Sequence, residues 1–336
     1  MRLNYLSPMK FSLLLLLASL LILTAACDET TNAPCAEPQN TYSPEFVLEQ
    51  TIQTNVENMG NALNSVFYTL LDDSLSRAEF TQDLFQDLHY FDAGTGYFFV
   101  ETLDGYLIAD PSLPDMLGEW RWEAQDENGV YFVQNMIDVA RFNSMGWVNY
   151  SFTNPATGMV EAKHTAVKLI PSSDWFIASG YYESQVGELD DMATSEFNDF
   201  MYRQLVNTFA GMLSNMGQHY SPEGDFFLNA MREMVHHVRF GIDYSGYFFV
   251  YTMEGVNVAY GPDPSREGTD MIDFQDATGV YIVQQAIQML EAEGEGYLDY
   301  VWENPVTGEV EPKRSYLKLI EPLDMYVGSG VYLEQD

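Results

Sequence analysis

An internal repeat constrains this chain more than any other feature of its sequence. The five residues Gly-Tyr-Phe-Phe-Val begin at Gly96 and begin again at Gly246, an offset of 150 residues. At this one offset about 34 of roughly 87 columns are identical between residues 96–182 and 246–332, and the alignment needs no gap. Because a repeat of this length is as long as an ordinary domain, the chain is predicted to contain two copies of one domain.

Each copy begins with helical patterns. In the first copy apolar residues step by three and four over 52–70, and the Ser-Pro pair 43–44 supplies an N-cap and a first-turn proline. The second copy repeats this stripe over 197–216. A shorter helix is predicted to follow in each copy, with a capping box at Ser76 in the first and a start at Ser221 in the second.

The sequence then changes to the two-residue period of strands. Two β-rich runs meet at the Asp-Gly pair 104–105, which is a hairpin signal, and a helix is predicted over 130–140. Three more strands are predicted at 147–153, 161–170 and 175–182. Helices, a hairpin, a helix and an antiparallel meander predict an α+β domain of about five strands in each copy.

The amino terminus has the pattern of a signal peptide. A basic start precedes an apolar run over 11–23, which is short for a membrane span. The sequence Leu-Thr-Ala-Ala-Cys follows and resembles a bacterial lipobox, so residues 1–26 are predicted to be removed and Cys27 to be lipidated. Thr24 stands where lipoboxes usually carry Leu, and ordinary cleavage with a disulfide between Cys27 and Cys35 is therefore the alternative.

The segment after the signal pattern has almost no large apolar residues. Residues 27–44 are rich in Thr, Asn, Pro and acidic residues, which is typical of a flexible tether. The first domain is accordingly predicted at 45–187 and the second at 188–336. The mature protein is expected to work outside the cytoplasm, in the periplasm or at the cell surface, with the lipid anchor as its only attachment to a membrane.

The charge balance excludes several kinds of partner and chemistry. The chain has 50 Asp and Glu against 14 Lys and Arg, a formal net charge of -36, so repulsion excludes nucleic acid as a partner. The sequence contains no metalloprotease, serine-hydrolase or phosphate-loop motif. His236 and His237 are adjacent on a helical pattern and would face different directions, which argues against a metal site. No enzymatic activity, cofactor or metal is predicted.

Five blocks of the second copy resemble, in this order, the single Cache type 2 domain of the Cache superfamily. That domain is the PAS-like extracytoplasmic sensor module of bacterial chemoreceptors and histidine kinases. The blocks are Gly246–Gly255, Asp276–Tyr281, Gly296–Pro305, Pro312–Lys318 and Gly328–Tyr332. The resemblance extends to the first copy and implies two tandem PAS-like domains. Each would have a long N-terminal helix, a roughly five-stranded antiparallel sheet with flanking helices, and a pocket for a small organic ligand.

Four of the five lysines lie outside the signal peptide, and they occupy two columns of one predicted strand. Lys163 and Lys168 lie in the first copy, and Lys313 and Lys318 lie in the second. Columns five apart point to opposite faces of a strand, so at most one lysine per copy faces a given pocket. The resemblance favours Lys163 and Lys313 as the inward pair, while the outer pair can equally be salt-bridged surface groups. A cation in an aromatic cleft would bind a small carboxylate by a charge-assisted hydrogen bond.

The resemblance implies that the second copy holds the better anion site. Arg239 resembles the family's ligand-facing arginine, whose planar fork suits a carboxylate. It is expected to join Lys313, with hydroxyl donors from Tyr251 and Tyr316. Large aromatic residues are also common in ordinary cores, and the remaining predicted ligand-binding residues are of this kind: Tyr247, Phe249 and Trp302.

The first copy has weaker equivalents of these residues. His89 stands in the column of Arg239, and Glu101 stands in the column of Tyr251. A buried Glu101 would repel an anion or compete for Lys163. The other equivalents in this copy are Tyr97 and Phe99. Neither copy keeps the family's His-Pro pair after the hairpin, which puts the family's usual ligand class in doubt.

Two functions of different kinds are compatible with these features. The first is a lipid-anchored protein that binds or senses a small carboxylate or related metabolite and reports it to a membrane receptor, transporter or kinase, since the sequence has no output domain. The second is a structural or scaffold lipoprotein whose degenerate pockets are filled by its own side chains. An open cavity reached by Arg239 and Lys313 would favour the first, and a collapsed aromatic core would favour the second.

Overall fold

A computed structural model describes residues 41–91, 93–241 and 244–333 of the chain. The predicted signal peptide, the predicted lipidation of Cys27 and the alternative disulfide to Cys35 lie outside the described residues. Residues 41–44, the last part of the predicted tether, are described. They form a short strand and the start of a helix, where a flexible segment was predicted. Thr41 and Tyr42 form a two-residue strand, because their backbones pair with the residues that precede the second long helix.

The first copy follows the predicted order of helices and strands. Its elements are β1 (Thr41–Tyr42), α1 (Pro44–Thr69), α2 (Ser74–Phe85), β2 (His89–Tyr90), β3 (Gly96–Thr102), β4 (Leu107–Ala109), α3 (Phe132–Asn143), β5 (Met145–Thr153), β6 (Val160–Ile170), β7 (Trp175–Tyr182) and α4 (Glu183–Val186). A single turn of 3-10 helix, Pro114–Met116, lies between β4 and α3.

The second copy repeats this order with an equivalent set of elements. They are β8 (Met192–Ala193), α5 (Thr194–His219), α6 (Asp225–His236), β9 (Phe249–Thr252), β10 (Asn257–Tyr260), α7 (Ile282–Glu293), β11 (Glu295–Glu303), β12 (Val310–Ile320) and β13 (Met325–Tyr332). A 3-10 turn at Pro264–Arg266 matches the one in the first copy.

Each copy is built on one antiparallel sheet. The second sheet has the order β10-β9-β13-β12-β11, and the first has the equivalent order with β4 and β2 both paired to β3. The meander β5-β6-β7 and its counterpart β11-β12-β13 pair continuously over eight or more residues. The prediction of an α+β fold with about five antiparallel strands in each copy is confirmed.

The predicted helix starts are right for α1 and wrong for both short helices. Ser43 caps α1 by accepting a hydrogen bond from the Phe46 amide, and Pro44 occupies the first turn. In α2 the N-cap is Asp73, whose carboxylate accepts from the backbone amide of Ser76 at 2.9 Å. The predicted capping box at Ser76 is therefore wrong, because a better acceptor lies three residues earlier. Helix α6 begins at Asp225, since the residues after Ser221 form a turn.

The two faces of each sheet pack into different cores. One face carries a separate cluster in each copy, formed with α3 in the first copy and with α7 in the second. The opposite faces and the helices α1, α2, α5 and α6 contribute to a single hydrophobic cluster that includes both copies. The copies therefore share one core on their helical side and keep separate cores on the α3 and α7 sides.

Hydrogen bonds tie the two copies together around the shared core. The Asn215 side chain on α5 donates to the backbone carbonyl of Gln86, which follows α2, at 2.7 Å. On the other side, the hydroxyl of Ser65 on α1 donates to Glu233 on α6 at 2.5 Å. Each long helix thus lies between its own sheet and the short helix of the other copy. None of the helices in the described ranges is both long enough and apolar enough to cross a membrane.

Candidate functional site

The inner face of each sheet holds one buried lysine. Lys163 on β6 and Lys313 on β12 lie on the faces covered by α3 and α7, and both are almost completely inaccessible to solvent. Lys168 and Lys318 lie five residues further on, on the opposite faces, as the strand period predicts. Lys318 pairs with Glu295 on the neighbouring strand. The outer lysines are thus partly exposed, and the inner ones are enclosed by aromatic side chains.

A small cavity lies between the second sheet and α7. Its volume is about 30 Å³, which is about the space of one water molecule. Four predicted ligand-binding residues line it, namely Tyr247, Phe249, Tyr251 and Trp302. Other aromatic and apolar residues complete the lining, among them Tyr260, Tyr300 and Tyr326. In this state the pocket is largely filled by its own side chains.

The amine of Lys313 lies over the ring of Tyr247, which lines this cavity, and it has no hydrogen-bond partner in the described part of the chain. Its Nζ lies 3.8 Å from the centre of the Tyr247 ring and 4.8 Å from the centre of the Tyr332 ring. Burial lowers the pKa of this amine well below its usual range. Leaving a buried amine without a partner is costly, so its position needs a reason other than packing.

Tyrosine hydroxyls form a polar cluster next to Lys313. The Tyr247 hydroxyl lies 3.3 Å from the hydroxyls of Tyr260 and Tyr332, and the Trp302 indole donates to Tyr260 at 2.7 Å. Burial raises the pKa values of Tyr247 and Tyr260, so these hydroxyls stay protonated near neutral pH. The site therefore offers one amine and several neutral hydroxyls to a small polar ligand.

A larger cleft lies outside the cavity and opens to solvent. Its volume is about 480 Å³, and three side chains line both spaces, namely Met271, Phe274 and Trp302. Arg266 borders this outer cleft, with its guanidinium carbon 5.5 Å from the ring centres of Tyr260 and Trp302. Movement of the three shared side chains would join the cavity to the cleft. The outer cleft is thus a space open to solvent next to the cavity.

The matching lysine of the first copy has partners of its own. Lys163 Nζ donates to the Tyr97 hydroxyl at 2.6 Å and lies 5.6 Å from the centre of the Phe99 ring. Burial lowers the pKa of Lys163 to about 7, and the nearby Asp110 carboxyl opposes this shift. Asp110 is itself buried, and burial raises its pKa. The first copy thus supplies its own hydroxyl and carboxyl groups to its lysine.

Glu101 is buried in the first copy, but its partner differs from the one expected. It accepts a hydrogen bond from Arg121 at 2.6 Å, and both side chains are almost fully enclosed. Burial raises the pKa of Glu101 to about 7, and Arg121 counteracts the shift. The expectation that Glu101 competes for Lys163 is therefore wrong, because Arg121 reaches it from the loop before α3. Asp110 takes the position near the lysine instead.

The structure does not bring every predicted site residue to the cavity. The Arg239 guanidinium donates to the backbone carbonyls of His236, Val238 and Gly261, and it lies in a different cleft. Tyr316 lies on the opposite face of β12 from Lys313, in the shared core, because an odd spacing along a strand reverses the side-chain direction. In the first copy, His89 is exposed and contacts the carbonyl of Asp87.

Several residues around the two lysines were missed by the sequence argument. Tyr260 and Tyr332 form the hydroxyl cluster of the second copy, and Asp110 and Arg121 provide the buried charges of the first. A comparison of equivalent positions in the two copies could have indicated the role of Arg121. The first-copy pair Glu101 and Arg121 is replaced by Tyr251 and Met271 in the second, so both charges disappear together. In the described ranges no three His, Cys, Asp or Glu side chains form a group that could hold a metal ion.

Two family models match the chain, one in each copy. The model described as Single Cache domain 2 matches residues 49–193, and the model described as Cache domain matches residues 206–336. Together they span most of both copies.

Similar proteins include sensors from two bacteria. The sensor histidine kinase MctS of Rhizobium johnstonii is 32% identical over 107 residues, which are 31% of this chain and 23% of that protein. The methyl-accepting chemotaxis protein McpP of Pseudomonas putida is 24% identical over 136 residues, 39% of this chain and 24% of that protein. The chain thus spans about a quarter of the length of these relatives. A solved periplasmic sensor domain of a chemotaxis protein is 27% identical, with a TM-score of 0.36, and the match covers 39% of this chain and 92% of that domain.

Proposed function

Because the chain belongs to the Cache superfamily and carries two Cache domains in tandem, we propose that it is an extracytoplasmic binding protein that senses a small carboxylate in its second copy. The single observation that carries this proposal is the buried Lys313 amine, which has no hydrogen-bond partner among the described residues. A carboxylate would supply the missing acceptor and make the ammonium form favourable. The equivalent Lys163 already has Tyr97 and Asp110, so the first copy has less to gain from a ligand.

Ligand binding at this site requires the cavity to enlarge. A cavity of about 30 Å³ holds one water molecule, and even a short carboxylate is larger than that. Met271, Phe274 and Trp302 separate the cavity from the outer cleft, and Met271 is a flexible side chain that adapts its shape readily. We therefore expect the ligand to bind a minor, open arrangement of these three side chains and to shift the population towards it.

The experiment combines thermal stability with calorimetry. Acetate, propionate and pyruvate are titrated into the purified protein, and a ligand that binds only the native state at a hundred times its Kd raises stability by about 2.7 kcal/mol. Lys313→Met is expected to abolish this response. Lys318→Met is the matched control, since it removes a lysine from the same strand on the opposite face. Equal responses in the two variants would refute the assignment of Lys313.

The second candidate function is a scaffold lipoprotein with filled pockets. The small volume of the cavity favours it, because aromatic side chains already occupy most of the space where a ligand would bind. This alternative predicts no stabilisation by any of the three carboxylates at millimolar concentration. It also predicts that Lys313→Met and the unmodified protein respond identically to each of them.

We also propose that a lipid on Cys27 holds the protein to a membrane and that a receptor, transporter or kinase receives its signal. The lipobox-like sequence supports the anchor, and the kinase and chemotaxis relatives support a signalling partner. Cys27→Ser should shift the protein from the membrane fraction to the soluble fraction and prevent incorporation of labelled fatty acid. An unchanged membrane fraction would contradict the anchor.

A further inference from the structure

A second cleft lies between the two copies, away from the cavity beside Lys313. Its volume is about 470 Å³, within the range of small-molecule sites. The first half of α1 forms one wall, the start of α5 forms another, and the end of β13 contributes Val331 and Tyr332. Its walls therefore come from both copies.

Opposite charges line this inter-copy cleft without pairing with each other. Arg239 borders it, half-buried, and its described hydrogen bonds all go to backbone carbonyls. Glu57 on α1 also borders it, and Glu57 forms no hydrogen bond or ion pair with any described residue. Within the described ranges Arg239 has no carboxylate partner, although the chain has 50 acidic and 14 basic residues.

A buried amide points to a ligand independently of these charges. Asn58 lines the same cleft and is 1% exposed. Its Nδ2 is shielded from solvent, and within the described part of the chain it donates to no acceptor. Because buried amide donors are normally satisfied, an acceptor that enters the cleft would complete this group.

One end of the cleft is aromatic. The Tyr42 ring stacks on Phe46 with their centres 4.9 Å apart, and Phe197 from the second copy lies 5.0 Å from Tyr42. All three rings line the cleft, and Phe46 is 38% exposed. An apolar group placed against these rings would remove their exposed surface from water.

From these groups we propose that the inter-copy cleft binds an α-amino acid with an apolar side chain. The ligand carboxylate accepts hydrogen bonds from Arg239 and Asn58, its ammonium pairs with Glu57, and its side chain packs on the aromatic rings. A compound with only one of the two charges leaves either Arg239 or Glu57 without a counterpart. The site is separate from the carboxylate pocket, although Tyr332 borders the cleft and also contacts Tyr247 and Lys313.

The proposal is tested by calorimetry on the purified protein with L-phenylalanine and L-leucine as probes. Two analogues separate the charges: 3-phenylpropanoate lacks the ammonium, and phenethylamine lacks the carboxylate. The amino acids are expected to bind at least tenfold more tightly than either analogue. Equal affinity of 3-phenylpropanoate and L-phenylalanine would overturn the role of Glu57, and equal affinity of phenethylamine would overturn the role of Arg239.

Variants then place the binding in this cleft. Arg239→Gln and Glu57→Gln are each expected to weaken L-phenylalanine binding at least tenfold. The matched controls are Arg141→Gln and Glu79→Gln, which change the same residue types outside the cleft and should leave the affinity unchanged. Glu57 is half-buried on a helix, so its variant should fold even if Arg239→Gln does not. If Lys313→Met abolishes amino-acid binding while both glutamine variants retain it, the ligand occupies the sheet pocket and the proposal is wrong.

Discussion

Replacing Lys313 with methionine should stabilise the ligand-free protein. Lysine and methionine have unbranched side chains of similar length, so the substitution keeps most of the packing around Tyr247 and removes the amine. In most cores a change at a fully enclosed position lowers stability. Here the opposite sign is expected, because the amine is buried and has no hydrogen-bond partner in the described ranges.

The magnitude can be worked out from the surroundings of the amine. A buried donor without a partner costs about 1 to 3 kcal/mol. If the amine is protonated, the aromatic rings of Tyr247 and Tyr332, with centres at 3.8 and 4.8 Å, each stabilise it by about 2 kcal/mol. The cost of removing the charge from water is several kcal/mol and offsets this gain. Lys313→Met should therefore raise the free energy of unfolding by about 1 to 3 kcal/mol.

The first copy supplies a control with the opposite sign. Lys163→Met removes a donor to the Tyr97 hydroxyl and one of the two cations, Lys163 and Arg121, that favour the charged form of the buried Asp110. Breaking one side of a buried polar pair is destabilising, here by about 1 to 3 kcal/mol. The same substitution in equivalent columns should thus stabilise one copy and destabilise the other.

Urea unfolding and calorimetric melting at neutral pH measure both variants. A change of 1 kcal/mol corresponds to a shift in Tm of about 2 to 4 °C in a protein of about 150 to 250 residues, and to a smaller shift in a longer chain such as this one. We expect Lys313→Met to melt higher than the unmodified protein and Lys163→Met to melt lower. Destabilisation of more than about 1 kcal/mol by Lys313→Met would refute the reasoning, since it would show that the amine has a stabilising partner in solution.

Three further outcomes are expected. Burial lowers the pKa of the free Lys313 amine and a bound carboxylate raises it, so binding takes up a proton between the two pKa values. Propionate affinity should therefore increase as the pH falls towards the pKa of the free amine. Calorimetry in buffers of different ionisation enthalpy should show the proton uptake. An affinity that is constant from pH 6 to 9 would contradict this. Arg121→Met leaves the buried Glu101 carboxylate without its ion-pair partner and should lower the free energy of unfolding by about 3 to 5 kcal/mol. Adding Glu101→Tyr, which introduces the residue of the second copy, should restore most of this stability in urea unfolding. Gly330→Ala should lower the Tm, because its Cβ would lie 2.0 Å from a backbone carbonyl of the neighbouring strand, while Gly187→Ala should be tolerated with its nearest neighbour at 3.6 Å.

The fold is the part of this protein that its sequence predicts best. The repeat at one offset predicts two copies, and the change from helical to strand period predicts the order of elements in each. The five-residue spacing of Lys313 and Lys318 also predicts that they point to opposite faces of β12. These properties follow from backbone geometry within single elements, which depends on residues close together in the chain.

The candidate site was predicted only in part, for the same physical reason. Tyr247, Phe249 and Trp302 reach the cavity because their strand positions fix their direction. Tyr316 does not, although the odd spacing from Lys313 already contained that information. Strand spacing could not predict the orientation of Arg239. Its guanidinium is held by three backbone carbonyls, which the turn after α6 and the end of β10 bring together.

The sequence by itself determined two α+β copies and, in each, two lysines on opposite faces of one strand. Only the tertiary structure decided that these lysines differ, because the groups that could pair with them come from other strands and loops. Asp110 and Tyr97 reach Lys163 in the first copy, whereas Tyr260 stands in the place of Asp110 in the second and Lys313 is left without an acceptor among the described residues. The inter-copy cleft was decided in the same way, since its walls exist only once the helices of both copies pack around one core.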